Sequence, residues 1–461
     1  MMRFFMIVFG CVVLTCPVRL PAAEKPNIVL IMADDFGYEC VAANGGKYRT
    51  PNLDKLAATG MRFEECYVQP LCTPTRVQLM TGLYNVRNYF SFGKIGRDAE
   101  TFAHFLKDAG YTTGMAGKWQ LGRAKNLPRR LGFDEFVLWQ HTRRASRYAN
   151  PGLEYNGDER DFSNGEYGPD LINDFVLDFI TRHKEGPFFL YYSMMLAHAP
   201  FQPTPDSPDW NPQARDEKVK DAKYFGDMVA YADKLVGRVE AKLEELGIRE
   251  NTLVIFLGDN GTGAGITSRF EGREIRGGKG QTIKRGMHVP LIANWPGHIA
   301  AGSVNDNLVA STDFLPTICD AAGAKLPTAM PADGQSFYAQ LLGKTGTPRE
   351  TLYCWYARGA AMKNVREFAM TKQYKLYRDG RFFDVVADPE ERAPRKIAEL
   401  RGDAAEAANK LSSVLEQYAN ARPASVDVAA AAASQNSGKG DRRRQRRGQR
   451  RRAAAGQVES S

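Results

Sequence analysis

At 461 residues, with 43% hydrophobic and 25% charged residues, the chain can bury a large core as one big domain or two unequal ones. Its formal charge of +9 does not mark a nucleic-acid-binding protein. Ten Lys/Arg against three Asp/Glu lie from Arg422 onward, so everything before that point is close to neutral.

The N-terminus reads as an export signal. Arg3 precedes an apolar run from Phe4 to Thr15, and the small pair Ala22-Ala23 follows. That run is too short to span a membrane, so residues 1–23 are predicted to be a signal peptide and the chain to be exported, to the periplasm or beyond, with no stable membrane insertion. The remaining cysteines are Cys40, Cys66, Cys72, Cys319 and Cys354, too few for a disulfide scaffold in a secreted chain of this size.

Asn27 to Met32 is a continuous apolar strand of the kind buried on both faces of a parallel sheet. It runs into Ala33-Asp34-Asp35-Phe36-Gly37. Adjacent side chains on a continuing strand point to opposite faces, so both carboxylates reach one point only if the strand has stopped, and Gly37 is the expected break. Open α/β sheets place ligands at such carboxyl ends. Thr50 to Gly60 is predicted to be a short helix, with Thr50 as N-cap, Pro51 at its first position and Gly60 as its stop. Leu71-Cys72-Thr73-Pro74-Thr75-Arg76 comes next, followed by Leu79-Met80-Thr81-Gly82. Pro74 suits the first turn of a helix, which sets Arg76 about one turn beyond Cys72. A lone cysteine in that setting reads as a buried structural residue.

The spacing Cys72-x-Pro74-x-Arg76 followed by Leu-Met-Thr-Gly resembles the signature of the type I sulfatases, of the alkaline phosphatase-like superfamily. Thr50-Pro-Asn-Leu-Asp54 matches a second segment of that family. The resemblance implies an α/β fold, a large mostly parallel sheet sandwiched by helices with a smaller C-terminal α+β domain built on an antiparallel sheet. It implies that a formylglycine-generating enzyme oxidises Cys72 to Cα-formylglycine, whose hydrate attacks sulfur and later expels sulfate. It also implies that Asp34 and Asp35 hold a divalent cation and that Arg76 holds the hydrate.

Further along, Thr101 to Ala109 reads as a helix with Phe102, Phe105 and Leu106 on one face. A strand then leads to Ala116-Gly117-Lys118-Trp119-Gln120-Leu121-Gly122. By the same resemblance Lys118 contacts sulfate, and position 120, usually histidine in the family, is here Gln120. Residues 123–168 are the least regular stretch. Arg143, Arg144 and Arg147, beside Trp139 and Tyr148, are expected either to form a basic, aromatic-lined substrate lip or to be a solvated charge run. Asp170 to His183 is helical, and the strand from Phe188 ends at His198-x-Pro-Phe, another family marker. After a long helix from about Lys223 to Leu246, the apolar strand Thr252 to Gly258 ends in Asp259-Asn260-Gly261. Two strands thus deliver acid–acid and acid–amide pairs. Oxygen ligands of that kind favour a hard cation, Ca2+ over zinc, and the six histidines form no His-x-x-x-His. The expected metal set is Asp34, Asp35, Asp259 and Asn260, with residue 72.

Gly277-Gly278-Lys279-Gly280 resembles the family's second sulfate-site lysine. The Glu-Gly-Gly-x-Arg that usually follows is replaced by Lys284-Arg285-Gly286-Met287-His288, which puts the local salt bridging in question. Short strands from about Thr351, with an Asp379-Gly380 turn, and a helix to about Ala419 close the chain. The expected divisions are the signal peptide, a catalytic domain over 24–345, a small-sheet subdomain over 346–421 and a disordered Ala/Arg-rich tail over 422–461. The reading is a sulfatase acting on a sulfated carbohydrate. Cys72, Arg76, Lys118, Gln120, His198 and Lys279 are its catalytic residues, and His198 or Lys279 protonates the leaving oxygen. Lys118, His198, Lys279, Arg143 and Arg147 bind substrate. The alternatives are a phosphomonoesterase or phosphodiesterase of the same superfamily, and an impaired sulfated-glycan-binding protein.

Overall fold

The computed structural model describes residues 25–213, 221–331, 333–359 and 361–434. The predicted signal peptide and the arginine-rich run lie outside these residues. Among the described residues, no helix is long and apolar enough to cross a membrane.

The apolar runs become strands of one large sheet: β1 (Asn27–Ala33), β2 (Met61–Tyr67), β3 (Thr112–Lys118), β4 (Glu135–Trp139), β5 (Gly152–Tyr155), β6 (Asp158–Asp161), β7 (Phe188–Ser193) and β8 (Thr252–Gly258). A ribbon of β9 (Thr267–Phe270) and β10 (Arg273–Arg276) stands apart, and β11 (Leu291–Asn294) and β12 (Ser303–Ala310) complete the sheet. Its spatial order is β12-β2-β11-β8-β1-β7-β3-β4-β5-β6. The centre, β8-β1-β7-β3-β4, is parallel, while β11 and the β5–β6 hairpin run antiparallel to their neighbours.

Side-chain alternation on β1 explains the layers. Ile28, Leu30 and Met32 enter one hydrophobic core, and Val29, Ile31 and Ala33 enter the other, so helices cover both faces. The expected second sheet also forms, from β13 (Leu352–Tyr356), β14 (Arg366–Met370), β15 (Tyr374–Tyr377) and β16 (Phe382–Asp384), all antiparallel. It shares a third core with Tyr67, Leu71 and Cys72, and therefore packs beneath the start of the Cys72–Thr81 helix.

Three local expectations are corrected. Thr50 stands at the N-cap position, but its hydroxyl accepts from the Ala42 N–H at 2.9 Å and donates to Asp54 at 3.2 Å instead of capping. Residues 123–168 are more regular than their composition suggests, because the wholly polar Asp158–Asp161 pairs as an edge strand. Disorder does not begin at residue 422. Arg422 lies over Trp355, 4.6 Å from the ring centre, donates to the Tyr89 carbonyl, and precedes a helical stretch over 424–434.

Candidate active site

Register brings the site residues to one level. Ala33 pairs with Gly258, Met32 with Ser193 and Gly117 with Ser193, so the segments leaving β1, β8, β7 and β3 start side by side. Those segments carry Asp34-Asp35, Asp259-Asn260, His198 and Lys118. β1 ends at Ala33 and the chain turns at Asp35, whose φ of 59° is left-handed; Gly37, the predicted break, has an ordinary extended backbone with φ −71°. Aspartate tolerates that region better than most residues, and the turn lets both carboxylates converge. Gly117 is required where it stands. Its φ is +105°, and a Cβ there would lie 1.9 Å from the Ser193 carbonyl oxygen.

The acids are buried among cations. Lys118 Nζ lies 2.7 Å from Asp34, Lys279 Nζ 2.5 Å from Asp35, and the wholly buried Arg76 pairs with Asp259 at 2.8 Å. The Asp35 backbone N–H donates to Asp259 at 3.0 Å, and the Asn260 amide donates to Asp35 at 2.9 Å. Burial alone would raise every carboxyl here. Lys118, aided by His198, Arg76 and Lys279, instead holds Asp34 well below the usual carboxylate range. His198 and Lys279 hold Asp35 down against its neighbour Asp34. Asp259, buried beside Asp34, is pushed up to about 6 despite Arg76.

Cys72 opens a ten-residue helix in which every residue is buried. Its Sγ lies 3.2 Å from Gln120 Oε1, so the glutamine at the departure from the family pattern touches position 72 directly. Burial pushes the Cys72 thiol up, with Lys118 opposing. Arg76 does not reach back over the sulfur in any described hydrogen bond. Its guanidinium is taken by Asp259, Ser193 and the Lys118 carbonyl. All five described cysteines are free and buried. His198 places Nδ1 2.6 Å from the Ala199 carbonyl and Nε2 3.9 Å from Asp35. The protein around it pushes its pKa down to about 4, against the pull of Asp35 and Asp34.

The cation predicted from oxygen chemistry fits these residues. Asp34, Asp35 and His198 offer ligand atoms within 4.8 Å of one another, and Asn260 Oδ1 is buried with no hydrogen-bond donor. An orphaned acceptor beside three carboxylates is what a cation site requires.

The predicted substrate lip is only partly formed. Arg143 turns away to pair with Asp161 at 2.7 Å and Glu159 at 3.3 Å on the β5–β6 hairpin. Trp139 and Tyr148 are buried, and Arg147 covers the indole at 4.0 Å, so neither ring is open to a sugar. Arg144 and Arg147 do reach a cleft of about 610 Å³ that also exposes Cys72, Lys118, Gln120, His198 and Lys279. Sequence reasoning missed Lys94, Arg123 and Arg358, which line the same cleft from three other segments. No spacing connects them.

The loop carrying Lys279 is held by the small-sheet region and by β2 of the large sheet. Arg285 pairs with Glu390 at 2.8 Å, Lys284 lies 3.5 Å from Glu65, and Tyr377 bonds Thr282 at 3.0 Å. Lys375, buried and paired with Glu391 at 2.7 Å, also donates to the Thr282 carbonyl. The altered Lys284–His288 segment therefore still forms ion pairs.

Comparison with known proteins identifies the family. The sulfatase family model matches residues 26–324, and the model of the N-sulphoglucosamine sulphohydrolase C-terminal region matches 279–419. Arylsulfatase A of Homo sapiens is 34% identical over 414 residues, covering 80% of this chain and 78% of the relative. N-acetylgalactosamine-6-sulfatase of Mus musculus is 35% identical over 358 residues, covering 70% and 67%. Among solved structures, Ps i-CgsB superposes with a TM-score of 0.72 at 26% identity, covering 89% of this chain and 98% of that one. The same protein in complex with k-i-k-neocarrahexaose gives 0.70 at 25% identity, with the same coverage. With the family match spanning most of the chain and the fold in agreement, this chain belongs to the sulfatase family of the alkaline phosphatase-like superfamily and is a sulfuric ester hydrolase.

Proposed function

We propose that the protein hydrolyses sulfate esters of sulfated carbohydrates outside the cytoplasm, using Cα-formylglycine made from Cys72 and Ca2+ held by Asp34, Asp35, Asp259 and Asn260. The observation that carries this reading is the convergence of Cys72, Gln120, Lys118 and Lys279 on one cleft, backed by three buried carboxylates. When present, the cation would supply a Lewis acid for the sulfate oxygens, and the hydrated aldehyde would supply the nucleophilic oxygen at position 72.

The chain's own residues do the rest. A sulfate ester spreads its charge over several oxygens, so its hydrolysis depends on electrostatic stabilisation and positioning. Lys118 and Lys279 neutralise the sulfate oxygens, while their pairing with Asp34 and Asp35 fixes where each ammonium sits. Arg76 acts as a positioning residue, locking Asp259 to the helix that carries Cys72. Gln120 orients the oxygen at position 72. Lys279, whose pKa the facing carboxylates raise, is the group placed to hand a proton to the departing alcohol, while His198, pushed down to about 4, can do so only in acid. The carbohydrate assignment draws on a relative named for N-acetylgalactosamine 6-sulfate and on a structural neighbour solved with a neocarrahexaose. Phosphoesterase chemistry at two transition metals would call for more imidazole, and the acidic cluster among the described residues contains one histidine.

The test pairs a mass measurement with turnover. Trypsin releases Phe63–Arg76, which carries Cys66 as an internal control. In denatured protein from a host with the maturation machinery, alkylation should mark Cys66 while position 72 has the mass of the aldehyde or its hydrate. Sulfate should be released from a sulfated monosaccharide. Alkylation of both positions in fully active protein rules out the aldehyde, and no release from any sugar or aryl sulfate rules out the activity.

A further inference from the structure

The cleft holds more positive charge than one sulfate group needs. Lys118 and Lys279 are already balanced by Asp34 and Asp35. Around the mouth stand Lys94, Arg123, Arg144 and Arg358, all exposed, and none forms an ion pair with a described acid. Among the described residues no carboxylate lines this cleft. Surface charges in a folded protein are usually interspersed with charges of the opposite sign. A one-sign cluster raises its own repulsion and is relieved by an anionic ligand.

The rim also leads somewhere. Arg144 and Arg147 line a second cavity of about 890 Å³, which Ser146, Asn150, Ser163 and Phe162 also line. Hydroxyls, an amide and one aromatic ring suit a sugar ring, and the volume is that of a ligand site. Asp161, the acid in this cavity, is neutralised by Arg143.

The segment that carries the two arginines is pinned to its surroundings. Thr142 donates to Glu154 from both backbone and hydroxyl at 2.8 Å, and His141 Nδ1 lies 3.1 Å from the same carboxylate. His141 Nε2 lies 2.9 Å from the Ala124 carbonyl, and the Trp139 indole N–H donates to the Ala145 and Ser146 carbonyls at 3.1 Å. Arg147 is braced on Trp139. A braced guanidinium such as that of Arg147 loses little on binding carboxylate or sulfate, and the pinned backbone fixes where Arg144 starts.

Resting on the sulfatase reading above, we infer that this rim is a selectivity site for a second anionic group. The substrate is an oligosaccharide whose neighbouring ring, bearing a carboxylate or sulfate, passes Arg144 and Arg147 into the second cavity. Lys94, Arg123 and Arg358 hold further anions at the mouth.

The test compares three substrates of the matured enzyme. They are 4-nitrophenyl sulfate, a sulfated disaccharide with an uncharged neighbouring ring, and the same disaccharide with a uronate there. At low salt the uronate disaccharide should exceed the uncharged one in kcat/KM by about tenfold, and the gap should shrink to about threefold or less near 0.5 M NaCl. Arg144→Gln should close most of that gap through KM with kcat little changed, and Arg144→Lys should restore part of it. Equal kcat/KM for the two disaccharides, or an equal loss on all three substrates in Arg144→Gln, overturns the inference. The same comparison can be made by calorimetry on the Cys72→Ala protein, which needs no turnover. If the matured enzyme releases no sulfate from any ester, the sulfatase reading fails. Binding to Cys72→Ala then decides the rim alone: preference for the uronate disaccharide supports it, and equal affinity overturns it.

Discussion

The thiol of Cys72 and the side-chain oxygen of Gln120 lie 3.2 Å apart, which puts a non-titrating amide in contact with the position proposed to carry the nucleophile. An amide can accept or donate hydrogen bonds but cannot take up a proton as imidazole can. Proton movement at position 72 must then be served by other groups. Gln120→His is expected to be tolerated, because Gln120 has φ 52° and histidine is among the residues enriched in that region. The variant should add an ionisation near neutrality to the pH profile of kcat. Gln120→Ala should lower kcat roughly tenfold. Unchanged kinetics in the alanine variant would place the glutamine outside the chemistry.

The Arg285–Glu390 pair is the second expected lever on activity. It is bidentate, at 2.9 and 2.8 Å, and joins the Lys279 loop to the turn after β16. Both side chains are partly exposed, at 21% and 34%, so the coupling is about 1 kcal/mol. Its effect on rate can exceed its effect on stability, since a displaced Lys279 ammonium loses alignment with the transferring group. Glu390→Gln should lower kcat/KM roughly three- to tenfold. In a double-mutant cycle with Arg285→Gln, which also gives up donations to the Arg276 and Gly277 carbonyls, the two losses should be less than additive. Full additivity of the two losses would show that the contact does not position Lys279.

Much of this candidate site was legible because its polar groups follow apolar strands. Asn27–Met32 and Thr252–Gly258 declare themselves as buried strands, and the register between them delivers Asp34, Asp35, Asp259 and Asn260 to one place. The Cys72–Arg76 helix was equally plain. The substrate lip was not. Arg143 and Arg147 look alike in sequence, but the partner of Arg143 comes from β6, whose four polar residues give no strand pattern. Trp139 looked like a platform, whereas it packs into a core with Arg147 folded over its ring. Lys94, Arg123 and Arg358 meet only through tertiary packing. Glycine and aspartate breaks were also interchangeable on paper, and Asp35, not Gly37, makes the turn.

His288, inside the segment that departs from the family pattern, should give folding stability a pH dependence. Its ring stacks on Tyr38, with centroids 4.1 Å apart, and on Tyr67 at 5.2 Å, and Nε2 donates to the Glu64 carbonyl at 2.7 Å. Burial, reinforced by Lys284, pushes its pKa down to about 3. Between that value and the ordinary histidine value the unfolded chain takes up a proton that the folded chain refuses. Stability from this residue is thus complete above the unfolded pKa and is lost as pH falls toward 3. The loss between pH 7.5 and pH 5 is about 2 kcal/mol. Urea midpoints across that range should fall in the parent protein. In His288→Gln, which keeps a donor for Glu64, the decline should be shallower by that amount, and an identical decline would acquit His288.

The orphaned oxygen of Asn260 gives the sharpest expectation about the metal. Oδ1 is buried without a donor, while Nδ2 is tied to Asp35. If Oδ1 is a cation ligand, Ca2+ should stabilise the folded chain independently of turnover. At a hundredfold excess over Kd the linkage amounts to about 2.7 kcal/mol, a rise in Tm of a few degrees for a protein this large. Mg2+ should do less, because it demands tighter octahedral geometry and gives up water reluctantly. Zn2+ should not substitute, since the set is mostly oxygen. Asn260→Leu preserves volume but removes the acceptor. Its Tm should be lower without metal, because Asp35 loses a donor, and its Ca2+-induced rise should shrink by at least about half. A full Ca2+ response in Asn260→Leu would exclude this oxygen from the coordination shell and leave the cation to the carboxylates and His198.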